Sequence, residues 1–181
     1  MGYSDITSLL NAIYAKAGVV TFHGPNVMSR WNEFTYQGMR EVLFDARAST
    51  YSNPEVIDDD LVARKYRIQT INAGKATGHL IGGNLTLMSA LVGTSYFPNA
   101  SGAILFLEDV GEAIYRVDRM MTQLKLSGVL GQVSGVVFGH FTDVTPNPGL
   151  GNFALMDILK QHCERCLLYT SPSPRDAYVS S

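Results

Sequence analysis

Five consecutive apolar residues, Ala103-Ile104-Leu105-Phe106-Leu107, end abruptly in Glu108-Asp109. A run this short and this pure predicts a strand buried on both faces, since it offers no polar side to water. From Glu112 to Leu126 the period changes. Ile114, Val117, Met121 and Leu124 fall on one face of a helix, and Gly128 follows as its stop. Val133 to Phe138 returns to an apolar run and predicts another buried strand. Strands alternating with helices in this way define an α/β fold, with helices layered on a sheet.

The remainder of the chain extends that pattern. Ile6, Leu9, Leu10, Ile13, Tyr14 and Ala17 recur at helical spacing, and Gly18 occupies the usual stop position. Val19 to Phe22 reads as a short strand ended by His23-Gly24-Pro25, and Glu33 to Phe44 as a helix despite Gly38. Tyr51 to Asp60 carries Asn53-Pro54 and three consecutive aspartates, the composition of a loop or linker. Strands are expected at Lys65 to Ile71 and Gly78 to Ile81, and Gly82-Gly83-Asn84 is expected to open a helix reaching about Leu91. Phe153 to His162 reads as the final helix.

Composition excludes several classes of function. Fourteen basic and 16 acidic side chains give a net charge of −2, which removes the electrostatic case for a nucleic-acid or anionic-membrane partner. No apolar run approaches the roughly 18–20 residues that span a bilayer. Two cysteines are too few for a disulfide framework. Eight Phe, nine Tyr and one Trp supply the aromatic mass of a packed interior rather than a disordered chain.

Both ends invite comment. Met1-Gly2-Tyr3-Ser4-Asp5 runs directly into the first helix, so the lack of a leader carries no information. Cys166 to Asp176 follows no periodicity and resembles the translation of a transposase-type sequencing adapter; the alternative is a Ser/Pro-rich disordered tail. On the adapter reading, residues 166–181 stand outside the fold, and Cys163-Glu164-Arg165-Cys166 loses its apparent redox or zinc spacing.

Two places could carry chemistry. Ser4 stands on the turn into the first helix, where a serine oxygen ordinarily caps an orphan backbone N–H. The sharper reading is a nucleophile on a tight turn, with the Asp5 N–H and the helix dipole facing a developing oxyanion. Glu108 and Asp109 stand where a strand ends, the edge at which α/β proteins place ligands. They read either as solvated loop acids or as a carboxylate that orients a histidine during acyl transfer. The four histidines show no metal-ligand spacing with cysteines or carboxylates, so no metal is expected.

Five blocks, in order, carry a resemblance. They are Gly2-Tyr3-Ser4-Asp5-Ile6-Thr7, Thr21-Phe22-His23-Gly24-Pro25, Gly82-Gly83-Asn84-Leu85, Ile104 to Asp109, and Tyr115-Arg116-Val117-Asp118-Arg119-Met120. Together they resemble the LD-carboxypeptidase family of serine peptidases, which includes the microcin-immunity peptidases. The resemblance implies a Ser-Glu-His triad with Ser4 as nucleophile, Glu108 as the carboxylate, and the Asp5 N–H at the oxyanion. Asp109 is the less favoured occupant of the carboxylate position. The family's histidine lies in a later block with no counterpart here. His140 follows a strand but falls out of order, His23 reads as a structural hydrogen-bonder, and His79 and His162 as surface or helix-end residues. The chain alone is therefore expected to be inactive.

The resemblance further implies release of a terminal D-alanine from murein tetrapeptide in the bacterial cytoplasm, without a cofactor, by a homodimer when full length. It divides the chain into a partial Rossmann-like layer (1–56), a linker (57–65), an incomplete α/β C-terminal domain (66–165) and the adapter-like tail (166–181). Two rivals remain. One is an immunity peptidase acting on a peptidyl-nucleotide; the other is a non-catalytic α/β module holding an anion at Gly82-Gly83-Asn84.

Overall fold

The computed structural model describes residues 1–48, 50, 68–145 and 154–163. In chain order its elements are α1 (Ile6–Ala17), α2 (Glu33–Leu43), β1 (Leu80–Asn84), α3 (Leu85–Leu91), β2 (Ile104–Val110), α4 (Ile114–Leu126), α5 (Val129–Gln132), β3 (Gly135–Thr142) and α6 (Leu155–Cys163). The fold is α/β. The three strands form one parallel sheet in the order β1-β2-β3. Helices connect the strands, as parallel pairing requires.

Strand β2 sits in the middle and shows why the sheet holds. Leu105, Leu107 and Asp109 are buried, whereas Ile104, Phe106 and Glu108 between them are only half-buried. The strand thus alternates, and the expectation of burial on both faces holds for one face only. Leu105 and Leu107 join Leu85, Met88, Val117, Met121, Leu124, Val136 and Leu159 in one continuous core. Each large apolar side chain removed from water here is worth about 1.5–3 kcal/mol. The expected stripe of α4 is the buried one: Ile114, Val117, Met121 and Leu124. Helix α6 closes the layer against α4, with Ile158, Leu159, His162 and Cys163 buried.

The expected helices are present, with α2 beginning at an Asn32 cap whose Oδ1 accepts from the Thr35 N–H. Several strand expectations need correction. Residues 19–22 form no strand; Gly2 and His23 make only an isolated parallel bridge, and Val19 and Val20 are exposed. Without a longer partner among the described residues, a β-branched run has nothing to pair with. Residues 68–71 are not strand either, and 65–67 lie outside the described residues, as do Tyr51 to Asp60, the 57–65 linker and the 166–181 tail. Gly82 and Gly83 lie within β1, which ends at Asn84, rather than opening a helix. Helix α3 starts one residue after Asn84, whose Oδ1 caps it by accepting from the Leu87 N–H. β2 continues through Glu108-Asp109 to Val110, and β3 through His140 to Thr142. Both run past their apolar stretch because ladder hydrogen bonds are indifferent to side-chain polarity.

Candidate active site

Ser4 has φ +57°, one of three non-glycine residues with positive φ among the described residues. That left-handed conformation costs a serine roughly 1–2 kcal/mol. It marks a sharp turn immediately before α1. The capping alternative fails: the cap position belongs to Asp5, and no side chain caps α1. Ser4 engages the helix through its backbone instead, its carbonyl accepting from the Thr7 N–H at 2.9 Å. Among the described residues its hydroxyl makes no hydrogen bond, and the Asp5 N–H donates to nothing. Both groups are thus open to a ligand at the positive end of α1.

Gly2 makes the tight entry possible. A Cβ there would stand 2.7 Å from Ile6 Cγ2. The Gly2 N–H donates to the Phe22 carbonyl at 3.2 Å, and the Gly24 N–H to the Gly2 carbonyl at 3.0 Å. These bonds tie the His23-Gly24 turn beside the serine turn.

Glu108 lies on the half-buried face of β2, the face opposite to Asp109. His23 packs against that face, its ring edge-on to Phe106 with 5.6 Å between centroids. His23 Nε2 stands 3.7 Å from Glu108 Oε1, beyond hydrogen-bond reach. Burial holds the His23 ring below its ordinary pKa. Burial also pushes the Glu108 carboxyl above its ordinary range. The neighbouring Asp109 charge adds to the rise, and the nearby Asn84 amide opposes it. The sheet helps to shape this place. Between Leu107 and Asp109 the β2–β3 register shifts, so Glu108 sits at an irregularity opposite Gly139-His140. A Cβ on Gly139 would come 3.2 Å from Glu108 Cβ.

The structure therefore links Ser4 and Glu108 through intermediaries, Gly2 and His23, rather than by a side-chain contact. His23 is more than a turn residue: it borders Glu108, a proximity that its sequence position did not reveal. His140 is exposed and lies within β3 rather than after it. His79 is exposed and its Nε2 pairs with the Asn99 carbonyl at 3.1 Å. His162 stands at a helix end, in the last turn of α6, but is buried there rather than at the surface, with Nε2 2.7 Å from Asp118 Oδ1. Among the described residues no three of His, Cys, Asp and Glu gather as metal ligands would, and no helix is long and apolar enough to cross a membrane.

The anion-cradle reading of Gly82-Gly83 meets filled space. A Cβ at Gly82 would lie 1.9 Å from the Phe106 carbonyl oxygen, and one at Gly83 2.8 Å from Thr7 and 3.0 Å from His23 Nδ1. These glycines, at φ +125° and +132°, admit protein and leave no room for a ligand.

Fold and site thus describe an α/β protein with a strained, uncommitted serine at a helix head and a half-buried glutamate beside His23. Comparison with known proteins gives the class. The LD-carboxypeptidase N-terminal domain model matches residues 1–24, and the LD-carboxypeptidase C-terminal domain model matches 77–171. The chain belongs to the LD-carboxypeptidase family.

Among its relatives, "Probable murein peptide carboxypeptidase" of Bacillus subtilis is 33% identical over 161 residues, which are 89% of this chain and 49% of that protein. The microcin C7 self-immunity protein MccF of Escherichia coli is 32% identical over 160 residues, 77% of this chain and 46% of that protein. The chain spans about half the length of the curated relatives it matches. Among solved structures, MccF in complex with glutamyl sulfamoyl guanosine superimposes with a TM-score of 0.76 at 27% identity, covering 94% of this chain and 57% of that one. Muramoyltetrapeptide carboxypeptidase from Oxalobacter formigenes gives 0.72 at 27% identity, covering 98% and 60%.

Proposed function

We propose that the protein carrying this chain is a serine-type LD-carboxypeptidase that hydrolyses the amide between an L-configured centre and a C-terminal D-amino acid, releasing D-alanine from murein tetrapeptide. The observation that carries this reading is Ser4, held at φ +57° before α1 with its hydroxyl unbound. Strain at a residue whose side chain does no structural work is the mark of a functional turn.

In this reading Ser4 Oγ attacks the scissile carbonyl and its proton passes to a histidine. The oxygen that becomes negative is held by the Asp5 N–H, with the positive end of α1 behind it. Glu108 orients the imidazole and stabilises its charged form. The same ring then protonates the leaving amine, and water cleaves the acyl-enzyme. No cofactor enters these steps. No histidine of this chain matches the family's histidine block, so the chain alone is proposed to be inactive, and the full-length gene product is the species to assay. The reading also carries a bacterial cytoplasmic location and a homodimer as proposals.

A second reading, hydrolysis of a peptidyl-nucleotide, is supported by the likeness to MccF. Fluorophosphonate labelling tests the nucleophile. Full-length protein is expected to label at Ser4, and Ser4→Ala to take no label and lose roughly 10⁵–10⁶-fold in turnover, as removal of a triad nucleophile does. Labelling that persists in Ser4→Ala would overturn the assignment. Turnover of murein tetrapeptide against a peptidyl-nucleotide separates the two substrates.

A further inference from the structure

Asp109 is the chemically conspicuous group that the proposed reaction leaves unused. It is 3% exposed, and its carboxylate is fully occupied. Oδ1 accepts from Asn84 Nδ2 at 2.8 Å and from the Val110 N–H at 2.9 Å. Oδ2 accepts from the Thr86 N–H at 3.0 Å and the Thr86 hydroxyl at 2.9 Å. A carboxylate so occupied is poorly placed to exchange protons with substrate, but well placed to hold the junction of β1 and α3.

Asn84 is the element common to both halves of the site. Its backbone stands opposite Glu108 in the β1–β2 register. Its N–H donates to Thr7 Oγ1 at 3.1 Å, and Thr7 is wholly buried. Thr7 in turn donates its own N–H to the Ser4 carbonyl. One turn further along α1, Asn11 Nδ2 donates to the Gly82 carbonyl at 2.9 Å. The helix carrying the serine is thus fastened to the strand beside the glutamate by directed bonds, with no gap in the sequence Asp109, Asn84, Thr7, Ser4.

We propose that Asp109, Asn84 and Thr7 form a positioning relay that fixes the Ser4 turn relative to Glu108. The relay rests on the reading of Ser4 as nucleophile. Its members touch no reacting atom; they act by setting the place from which Ser4 attacks. Loss of the Thr7 hydroxyl removes the bond between α1 and β1 nearest the serine turn, leaving Asn11 to hold the helix one turn further on, and displacements of about 1 Å at a reacting centre can cost 10²-fold in rate.

The test uses the full-length gene product and a fluorophosphonate probe, with labelling rate measured against probe concentration and thermal unfolding recorded for each variant. Thr7→Val keeps the shape and removes the oxygen; Thr7→Ser keeps the oxygen. Thr7→Val is expected to lower the saturating labelling rate at least about tenfold, with the half-saturating concentration within about twofold of the parent. Thr7→Ser is expected to recover most of that rate. If Thr7→Val gives no cooperative unfolding transition, Thr86→Val carries the test. It removes one of Asp109's donors and is expected to lower the rate about threefold at unchanged half-saturation.

Thr7→Val labelling like the parent, Thr7→Ser falling as far as Thr7→Val, or Thr86→Val leaving the rate unchanged when it carries the test would each overturn the relay alone. A parent protein that takes no label at Ser4 overturns the peptidase reading and the relay with it.

Discussion

Helices α1 and α4 have nearly the same length, 12 and 13 residues, and each carries an apolar stripe at helical spacing. They are held in opposite ways. On α4 the stripe is the buried face, and Val117, Met121 and Leu124 have no exposure at all. On α1 only Leu10 of the stripe is buried, while Ile6, Leu9 and Ile13 remain 41%, 57% and 45% exposed. What α1 buries beside Leu10 is Thr7 and Asn11, both hydrogen-bonded to β1. Hydrocarbon burial is strong but non-directional, and it places α4 within the tolerance of a packed core. Hydrogen bonds are individually weaker in net terms but directional. They suit a helix whose first turn, in the proposed reading, presents a serine at a defined place.

The sharpest challenge to this contrast is a cavity in the core layer. Leu107→Ala is expected to lower stability by about 2–5 kcal/mol in urea unfolding, since Leu107 has no exposure. A loss below about 1 kcal/mol would mean that the sheet layer is not the stabilising region. Gly83→Ala strikes the seam between the two regions. With φ +132° and Thr7 and His23 against the added methyl, it is expected to cost about 1–3 kcal/mol. Hydrogen exchange should then show α1 amides losing protection while those of β2 keep theirs.

A smaller effect concerns charge. The Glu108 carboxyl has a raised pKa in the fold, so the native state holds its proton more tightly than the unfolded chain does. The stabilisation that this brings is fully present below the ordinary carboxyl pKa and is lost as pH rises through the raised one. Glu108→Gln, which does not titrate, should therefore gain stability relative to the parent as pH rises from the ordinary carboxyl pKa through the raised one, by less than ~1 kcal/mol given partial solvent exposure. A flat difference across that range would refute the burial argument. Smallest of all, Leu9→Ala on the open face of α1 is expected to change unfolding free energy by no more than about 0.5 kcal/mol.

Much of this contrast was legible before any coordinates. The α4 stripe could be read residue by residue because its period and its burial coincide. The same reading on α1 located the helix, its apolar stripe and its Gly18 stop, but not that Thr7 and Asn11 are buried beside Leu10, because periodicity reports where apolar residues lie and not whether anything covers them. Gly82-Gly83 were misplaced for a related reason. A glycine pair before Asn84 looks like a helix opening, and only the packing of Thr7, His23 and the Phe106 carbonyl shows that these positions lie within a strand. For the candidate site, Ser4, Asp5 and Glu108 were singled out from short motifs. The proximity of His23 to Glu108 and the engagement of Asp109 were not, because both arise from pairings between segments distant in the chain.

The alternation along β2 has one last consequence. Glu108 and Asp109 are adjacent acids with opposite surroundings, one bordering His23 and the other sealed among hydrogen-bond donors beside the core. A slip of the strand by a single residue would exchange them, swapping a shorter side chain into the role of the longer one and stranding a carboxylate among leucines. Strand registry in this protein is therefore a selector between two near-identical functional groups, and the apolar run before them is what enforces the choice.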